Sequence, residues 1–193
     1  TSTNNTTTRA FPQNGFTYSC WFKIPKRSSE SHEHDQIGEV LPLLSLSAGG
    51  DTFFEVHADI VHNLIRVLSL SKNGQVSSLL LKPQFPISPN DWTNMIVIIR
   101  KTKKLTLGSK ITVNIYINGI QCDNDIEEIV NIDPVIFNSL NIIMEIGRLN
   151  MILSKFTNDV TVEDTKLMQI LCVPSEWYIG SVYLFDEVLN IEQ

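Results

Sequence analysis

Two segments of this sequence combine residue types and a spacing that could support acid–base chemistry or bind a metal ion. Residues 55–59 read Glu-Val-His-Ala-Asp, and residues 123–127 read Asp-Asn-Asp-Ile-Glu. In a β-strand every second side chain points to the same face, so either segment would place three polar groups side by side. Hydrolysis of a glycosidic bond needs two carboxyl groups that flank the bond, and Ca²⁺ needs several oxygen ligands.

Neither segment completes such a site. His57 stands at the middle position of the first segment, so no carboxylate lies between Glu55 and Asp59. The second segment has acidic residues at alternate positions, Asp123, Asp125 and Glu127, and follows a predicted turn. It is interpreted as a solvated edge or loop, with a weak calcium site as the alternative. The sequence therefore predicts that the protein is not an enzyme. We expect His57 to lie on a strand with its hydrogen bonds satisfied locally.

Two further histidines lie close together at residues 32–35, which read His-Glu-His-Asp. Zinc can use a His-x-His pair, but a fixed zinc site needs a third and a fourth ligand on a rigid frame. The surrounding residues 26–38 are polar and indicate a loop. We therefore predict no metal site and no required cofactor.

Four aromatic residues are the candidates for ligand binding: Trp21, Tyr116, Trp177 and Tyr178. Trp21 and Tyr116 alternate away from the apolar residues of their strands, which places them on the opposite face. The sequence favours a core position for Trp21; on an open face the same ring could stack on a sugar or hold a peptide. Trp177 and Tyr178 precede the last strand and are predicted to be exposed in a loop.

Composition indicates one folded β-domain without affinity for nucleic acid. The chain has 193 residues, of which 42% are apolar and 19% are charged, and its formal net charge is −6. That apolar content is enough for a sizeable core, whereas binding to phosphate backbones requires clustered cations. The basic cluster at residues 100–104 is short and is predicted to be a solvated turn.

Cysteine usage and hydropathy indicate a reducing compartment and no membrane insertion. The three cysteines, Cys20, Cys122 and Cys172, show no close pairing, so a disulfide framework is not implied. Cys20 alternates with apolar residues and is predicted to be buried. No run approaches the ~18 apolar residues of a membrane span. Residues 1–10 are rich in Thr and Asn and are predicted to form a disordered tail.

Alternating and continuous apolar runs predict nine or ten short strands and no long helix. The strands are predicted at 15–24, 40–46, 52–58, 64–71, 76–81, 95–99, 111–117, 140–146 and 180–185. The dipeptides Gly49-Gly50, Asn73-Gly74 and Asn118-Gly119 predict tight turns between strands. This spacing is typical of a two-layer antiparallel β-sandwich. We predict one domain over residues 11–193, with loop insertions near 26–38 and 149–176.

Large apolar residues alternate along the first predicted strand. Phe16, Tyr18, Cys20 and Phe22 share one face, which is predicted to point inward. Ile115 belongs to a similar inward set on a later strand. Trp92 begins the buried run 95–99 and is predicted to be core.

Four ordered motifs resemble the concanavalin A-like (laminin-G/pentraxin-like) domain of BEACH-domain proteins of the neurobeachin/Chediak–Higashi type. The first is Gly-Phe-Thr-Tyr-Ser-Cys-Trp-Phe at 15–22, and the second is Asp-Trp at 91–92 followed by an apolar strand. The third is Val-Asn-Ile-Tyr-Ile-Asn-Gly at 113–119. The fourth, and most specific, is Ile-Gly-Ser-Val-Tyr-Leu-Phe-Asp-Glu-Val-Leu at 179–189. Together they span most of the chain, and the compositional bias is similar to that of fungal proteins.

The resemblance implies a concanavalin A-like jelly-roll sandwich inside a large cytoplasmic protein of vesicle traffic and protein sorting, peripherally associated with endomembranes. It implies a non-catalytic interaction or scaffold module that contacts a protein partner and other domains of the same chain. The alternative is a carbohydrate-binding, lectin-like domain that takes an oligosaccharide.

Overall fold

A computed structural model describes residues 12, 14–25, 40–71, 73–104, 108–123, 128–129, 132, 142–147 and 176–189. The predicted tail at 1–10, the loop near 26–38, His32, His34 and Asp35 lie outside these residues. The same is true of Asp125, Glu127 and Cys172, and of the predicted insertion at 149–176 apart from residue 176. What the sequence predicts for these residues stays a prediction.

The described residues form strands and turns, with no helix among them. The strands are β1 (Gly15–Lys23), β2 (Val40–Ala48), β3 (Asp51–Asp59), β4 (Leu64–Leu70), β5 (Val76–Leu81), β6 (Thr93–Lys104), β7 (Gly108–Ile117), β8 (Ile120–Gln121), β9 (Glu128–Ile129), β10 (Ile142–Glu145) and β11 (Tyr178–Phe185). They pair antiparallel in two sheets. Sheet A has the order β11-β1-β6-β7-β8, with β9 also on β7, and sheet B has the order β10-β2-β3-β4-β5.

The two sheets pack face to face around one core. The alternation of β1 places Phe16, Tyr18, Cys20 and Phe22 in this core, all at 0% exposure. Ile115 of β7 and Phe54 of β3 belong to the same cluster. The predicted two-layer antiparallel β-sandwich is confirmed, as are the inward positions of Cys20 and Ile115.

A hydrogen bond across the core links the sheets directly. The hydroxyl group of Tyr18 on β1 donates to the backbone carbonyl of Leu43 on β2, at 2.9 Å. Leu43 is the extra residue of a β-bulge between Pro42 and Leu44, and a bulge leaves a residue without its ladder partner. Tyr18 therefore supplies a partner for a buried carbonyl, and its own pKa is raised, chiefly by burial.

The same bulge explains how Pro42 fits within an interior strand. Proline cannot donate to a ladder and is found at edges or bulges. β10 pairs with β2 only from Ser45 to Ala48, so Pro42 lies beyond the end of that ladder. Its carbonyl group accepts a hydrogen bond from the backbone of Gly147 at 2.9 Å.

The glycine-containing dipeptides form the predicted turns. Gly49 and Gly50 have φ values of 62° and 92°, and they join Ala48 to Asp51, which are opposite each other. Asn118 and Gly119 have φ values of 51° and 82°. Positive φ at both central residues is the requirement of a type I′ turn, whose twist matches that of the flanking strands.

The predictions for residues 100–104 and for Trp92 were wrong. Residues 100–104 are not a turn, because β6 continues to Lys104 and pairs with β7 as far as Gly108. Trp92 is not a core residue, because it lies just before β6 and is 47% exposed.

Within the described residues no helix is long and apolar enough to cross a membrane.

Candidate functional site

A bulge in β11 shapes an exposed aromatic surface. Cys20 on β1 pairs with Val182, but Phe22 pairs with Ile179. Gly180 and Ser181 therefore both lie opposite Trp21. Because opposite residues in a sheet point to the same face, Trp21 and Tyr178 lie on the outer face of sheet A, away from the core.

Trp92 joins this face from the segment before β6. A Cβ atom placed on Gly180 would lie 3.1 Å from Cβ of Trp21 and 3.1 Å from Cζ3 of Trp92. The two tryptophans therefore contact the same glycine, and a side chain at this position would crowd both of them. We call Trp21, Trp92 and Tyr178 the aromatic patch.

The aromatic patch is open to solvent. Trp21, Trp92 and Tyr178 are 40%, 47% and 44% exposed, respectively. Since each such side chain presents about 150–250 Å², the three leave on the order of 250 Å² of mostly apolar surface in water. Exposed apolar area concentrated in one place is typical of a binding surface.

Two polar groups at the aromatic patch already have partners. The Tyr178 hydroxyl donates to the Glu176 carboxylate, and this hydrogen bond raises the pKa of Tyr178. Asn94, opposite Trp21 on β6, donates its side-chain amide to Ser19 Oγ and to the Cys20 carbonyl, each at 3.2 Å. Lys23, opposite Tyr178, adds a cationic side chain to the same face.

The structure brings together two of the four predicted ligand-binding residues. Trp21 and Tyr178 lie in the aromatic patch, so the core position favoured for Trp21 was wrong, and Tyr178 begins β11 instead of preceding it. Tyr116 lies on the outer face, as its alternation predicts, but it is only 9% exposed and sits on β7, two strands from β1. Trp177 is half-buried against the core, where its ring contacts Gly147.

A second group of functional residue types is buried on the outer face of sheet B. Glu55, His57 and Asp59 alternate along β3 and are 0%, 1% and 2% exposed; Arg66, opposite His57 on β4, is 8% exposed. His57 Nε2 lies 3.5 Å from Glu55 Oε2. Within the part of the chain that the structure describes, neither ring nitrogen of His57 makes a hydrogen bond, so the expected local hydrogen bonds are not found there.

Burial and charge keep this histidine neutral. Loss of hydration, and then the neighbouring Arg66 guanidinium, lower the pKa of His57 to about 3, because both disfavour a second positive charge in a low-dielectric site. Its contact with Glu55 is therefore not an ion pair at neutral pH. With exposures of 2% or less, Glu55, His57 and Asp59 cannot reach a substrate in solution.

Asp59 and Asp123, from the same two segments, have structural partners. Asp59 Oδ1 accepts from the His62 backbone at 3.0 Å, and Asp59 also contacts the His62 ring. Asp123 Oδ2 accepts from the Lys82 backbone at 2.6 Å. Among the described residues no three His, Cys, Asp or Glu side chains are arranged to hold a metal ion.

Comparison with known proteins gives similarity only at the level of solved structures. No family model matches the sequence, and no curated protein matches it. The receptor-binding domain of botulinum neurotoxin type G has a TM-score of 0.49 and 17% identity, over 92% of this chain and 36% of that one. The receptor-binding domain of the botulinum neurotoxin C/D mosaic serotype has a TM-score of 0.47 and 14% identity, over 97% and 36%. The chain thus spans about a third of the length of these domains.

Proposed function

We propose that this β-sandwich is a non-catalytic interaction module that binds a protein partner through the aromatic patch. The observation that carries the proposal is the exposure of Trp21, Trp92 and Tyr178 on one face, at 40–47% each. Tryptophan and tyrosine are enriched at interaction hot spots because they bury a large area with little loss of side-chain freedom. Water is released from their rings when a partner covers them.

The distribution of polar groups favours a protein partner over a sugar. A sugar ring stacks on an aromatic side chain, but its hydroxyl groups also need hydrogen-bonding partners. The Tyr178 hydroxyl and the Asn94 amide are already engaged within the domain. An apolar segment of a protein needs no such groups. The exposed Trp21 ring still makes an oligosaccharide the second candidate.

The burial of the charged residues on β3 supports the non-catalytic character. General acid–base catalysis requires a group within hydrogen-bond reach of the substrate. Glu55 and His57 are 0% and 1% exposed, so they are not placed for that role.

At a finer level, we propose that the domain belongs to a BEACH-type scaffold of vesicle traffic in the cytoplasm, peripherally associated with endomembranes. The four ordered sequence motifs support this proposal. They fall on β1, on the entry to β6, on β7 with its Asn118-Gly119 turn, and on β11 with the residues after it. The partners would then be cytoplasmic proteins and other domains of the same chain.

The test compares the wild-type domain with a Trp21→Ala/Trp92→Ala variant and a Leu80→Ala control. Leu80 is 50% exposed on β5, in the other sheet. We expect to find a cytosolic protein that, once purified, binds the wild-type domain and the control directly. Its affinity for the Trp21→Ala/Trp92→Ala variant should be at least about tenfold lower. Unchanged affinity of the patch variant for that protein would contradict the proposal.

A glycan panel separates the two candidates. We expect no saturable binding of the folded domain, either with calcium or with a chelator. Selective glycan binding that is lost in the Trp21→Ala/Trp92→Ala variant would replace the protein partner by an oligosaccharide.

A further inference from the structure

Strand β11 exposes both of its faces. All eight of its residues are exposed, including Ile179, Val182 and Leu184 at 44%, 38% and 51%. The outer face carries Tyr178 and a stacked pair, Tyr183 and Phe185, whose ring centroids are 6.3 Å apart. A strand at a sheet edge normally keeps its apolar residues on one covered face.

The exposed aliphatic residues lie on the core side of sheet A. Leu184 is opposite Tyr18, and Val182 is opposite Cys20. Tyr18 and Cys20 are fully buried members of the core, whereas Val182 and Leu184 do not belong to it. Among the described residues the core therefore ends at β1, and the apolar side chains on the inner face of β11 are exposed.

The outer edge of β11 is also available. Among the described strands only β1 pairs with β11, so one row of its backbone N–H and C=O groups faces away from the sheet. The strand reads Tyr-Ile-Gly-Ser-Val-Tyr-Leu-Phe, without lysine, proline or any charged residue. Natural proteins usually protect an edge with such residues, because an open edge pairs with other chains.

We propose that β11 pairs antiparallel with β11 of a second copy of this chain, which joins two copies of sheet A into one continuous sheet. An antiparallel pair of identical strands is related by a two-fold axis, so each face of the strand meets its own counterpart. The neutral sequence of β11 allows this without like charges opposite each other. A peptide with charged side chains would gain no complementary charge here.

The bulge at Gly180-Ser181 limits the register to the regular segment after it. Pairing centred on Tyr183 places Val182 opposite Leu184 of the second copy on the inner face. On the outer face Tyr183 meets its own counterpart. Both faces then gain apolar cross-strand pairs, which stabilise an antiparallel ladder.

The area available indicates a weak dimer. From the exposed fractions of the four large apolar residues after the bulge, which lie between 37% and 53%, β11 offers on the order of 300 Å² per copy. A standard specific interface buries about 800 Å² per partner. We therefore expect a monomer–dimer equilibrium that depends on protein concentration. This interface is separate from the binding of a partner by Trp21 and Trp92.

Sedimentation of the purified domain over a hundredfold range of concentration tests the proposal, with Leu184→Lys as the variant. Leu80→Lys is the control, since Leu80 and Leu184 are 50% and 51% exposed on edge strands of different sheets. We expect wild type and Leu80→Lys to dimerise. Leu184→Lys should dimerise at least about tenfold more weakly, because it places a charge in the new apolar contact. A wild type that stays monomeric at every concentration overturns the proposal.

Disulfide cross-linking tests the register. Burial raises the pKa of Cys20 to about 11 and that of Cys122 to about 12, so these thiols stay protonated and unreactive near neutral pH. In a Cys172→Ser background, we expect Tyr183→Cys to form a covalent dimer faster than Phe185→Cys, because only residue 183 meets its counterpart across the axis. Equal rates, or faster cross-linking at 185, contradict this register.

The Trp21→Ala/Trp92→Ala variant distinguishes this inference from the proposed function. We expect it to dimerise as wild type does while losing its protein partner. Loss of dimerisation in this folded variant would show that the two copies meet through the aromatic patch and not through the edge of β11.

Discussion

Strand β3 alternates polar and apolar residues, whereas β11 carries large apolar residues on both faces, and the two strands differ in which side chains are buried. On β3 the polar residues Glu55, His57 and Asp59 are each at most 2% exposed. On β11 the apolar residues Val182 and Leu184 face the core side and are 38% and 51% exposed. Alternation assigns residues to the two faces of a strand. Whether a face is covered depends on what packs over it, which a local pattern does not contain.

The side chains of β3 and β11 also differ in whether they affect the stability of the domain or its contacts with other molecules. Buried polar groups on β3 restrict protonation, because a charged histidine there would lose its hydration. Exposed apolar residues on β11 add little to the stability of one copy but are available for contact with another molecule. We therefore expect substitutions in the covered region to change unfolding, and substitutions on β11 to change association.

The largest expected contrast is between two identical substitutions. Ile115→Ala removes a core side chain that is 1% exposed and should lower the free energy of unfolding by about 2–5 kcal/mol. Ile179→Ala on β11, where the side chain is 44% exposed, should change it by less than about 1 kcal/mol. Chemical denaturation at a concentration that keeps the domain monomeric measures both. Similar losses would mean that the inner face of β11 is covered.

The second contrast concerns pH. The pKa of His57 is about 3 in the folded domain and ordinarily about 6.5 in an unfolded chain. The unfolded state therefore binds the proton more tightly, so this contribution to stability is complete above about pH 6.5 and is lost as the pH falls. Between pH 7 and pH 5 the loss from this one group should be about 2 kcal/mol.

The variant His57→Gln should remove that part of the pH dependence. His62→Gln is the matched control, because His62 is 51% exposed and follows the same strand. Denaturation curves at both pH values give the slope for each variant. If the slope of His57→Gln equals that of wild type, the histidine is protonated in the folded domain and the buried cluster is more polar than its exposure indicates.

The smallest contrast is between two hydroxyl groups. Tyr18→Phe leaves the buried Leu43 carbonyl without its 2.9 Å hydrogen bond and should lower the free energy of unfolding by about 1–2 kcal/mol. Tyr183→Phe on β11, at 53% exposure, should change it by less than about 0.5 kcal/mol. Thermal unfolding under identical conditions compares them. Equal shifts would show that the bond between the sheets adds nothing to stability.

The sequence predicts the strands and turns because their determinants are local. Gly49-Gly50 and Asn118-Gly119 require positive φ, and the alternation in β1 separates Tyr18 and Cys20 from Trp21. The end of β6 was missed because residues 100–104 are mostly basic, a composition more typical of turns than of strands. Its pairing with β7 is a tertiary feature.

The aromatic patch could be predicted only in part, because its members come from distant segments. Trp21 and Tyr178 were candidates by type and alternation. Trp92 was assigned to the core from the apolar run that follows it, but it precedes β6 and is outside any alternation. Its contact with Gly180 depends on the bulge in β11. The sequence contains no signal for that bulge other than the glycine itself.

Thr17 ties the two ends of the fold together, since its hydroxyl group bonds to the Glu187 carbonyl and to the Leu189 amide at 3.0 Å each. These contacts, like the pairing of β1 with β11, join residues about 170 positions apart. A chain emerging from the ribosome can pair β1 with β6 long before β11 exists. Strand β11 must then add to the β1 edge of a sheet that is otherwise formed, a non-local step that is slow compared with local hairpins. Until it does, β1 is itself an open edge, so chaperone binding during synthesis should persist until β11 has emerged.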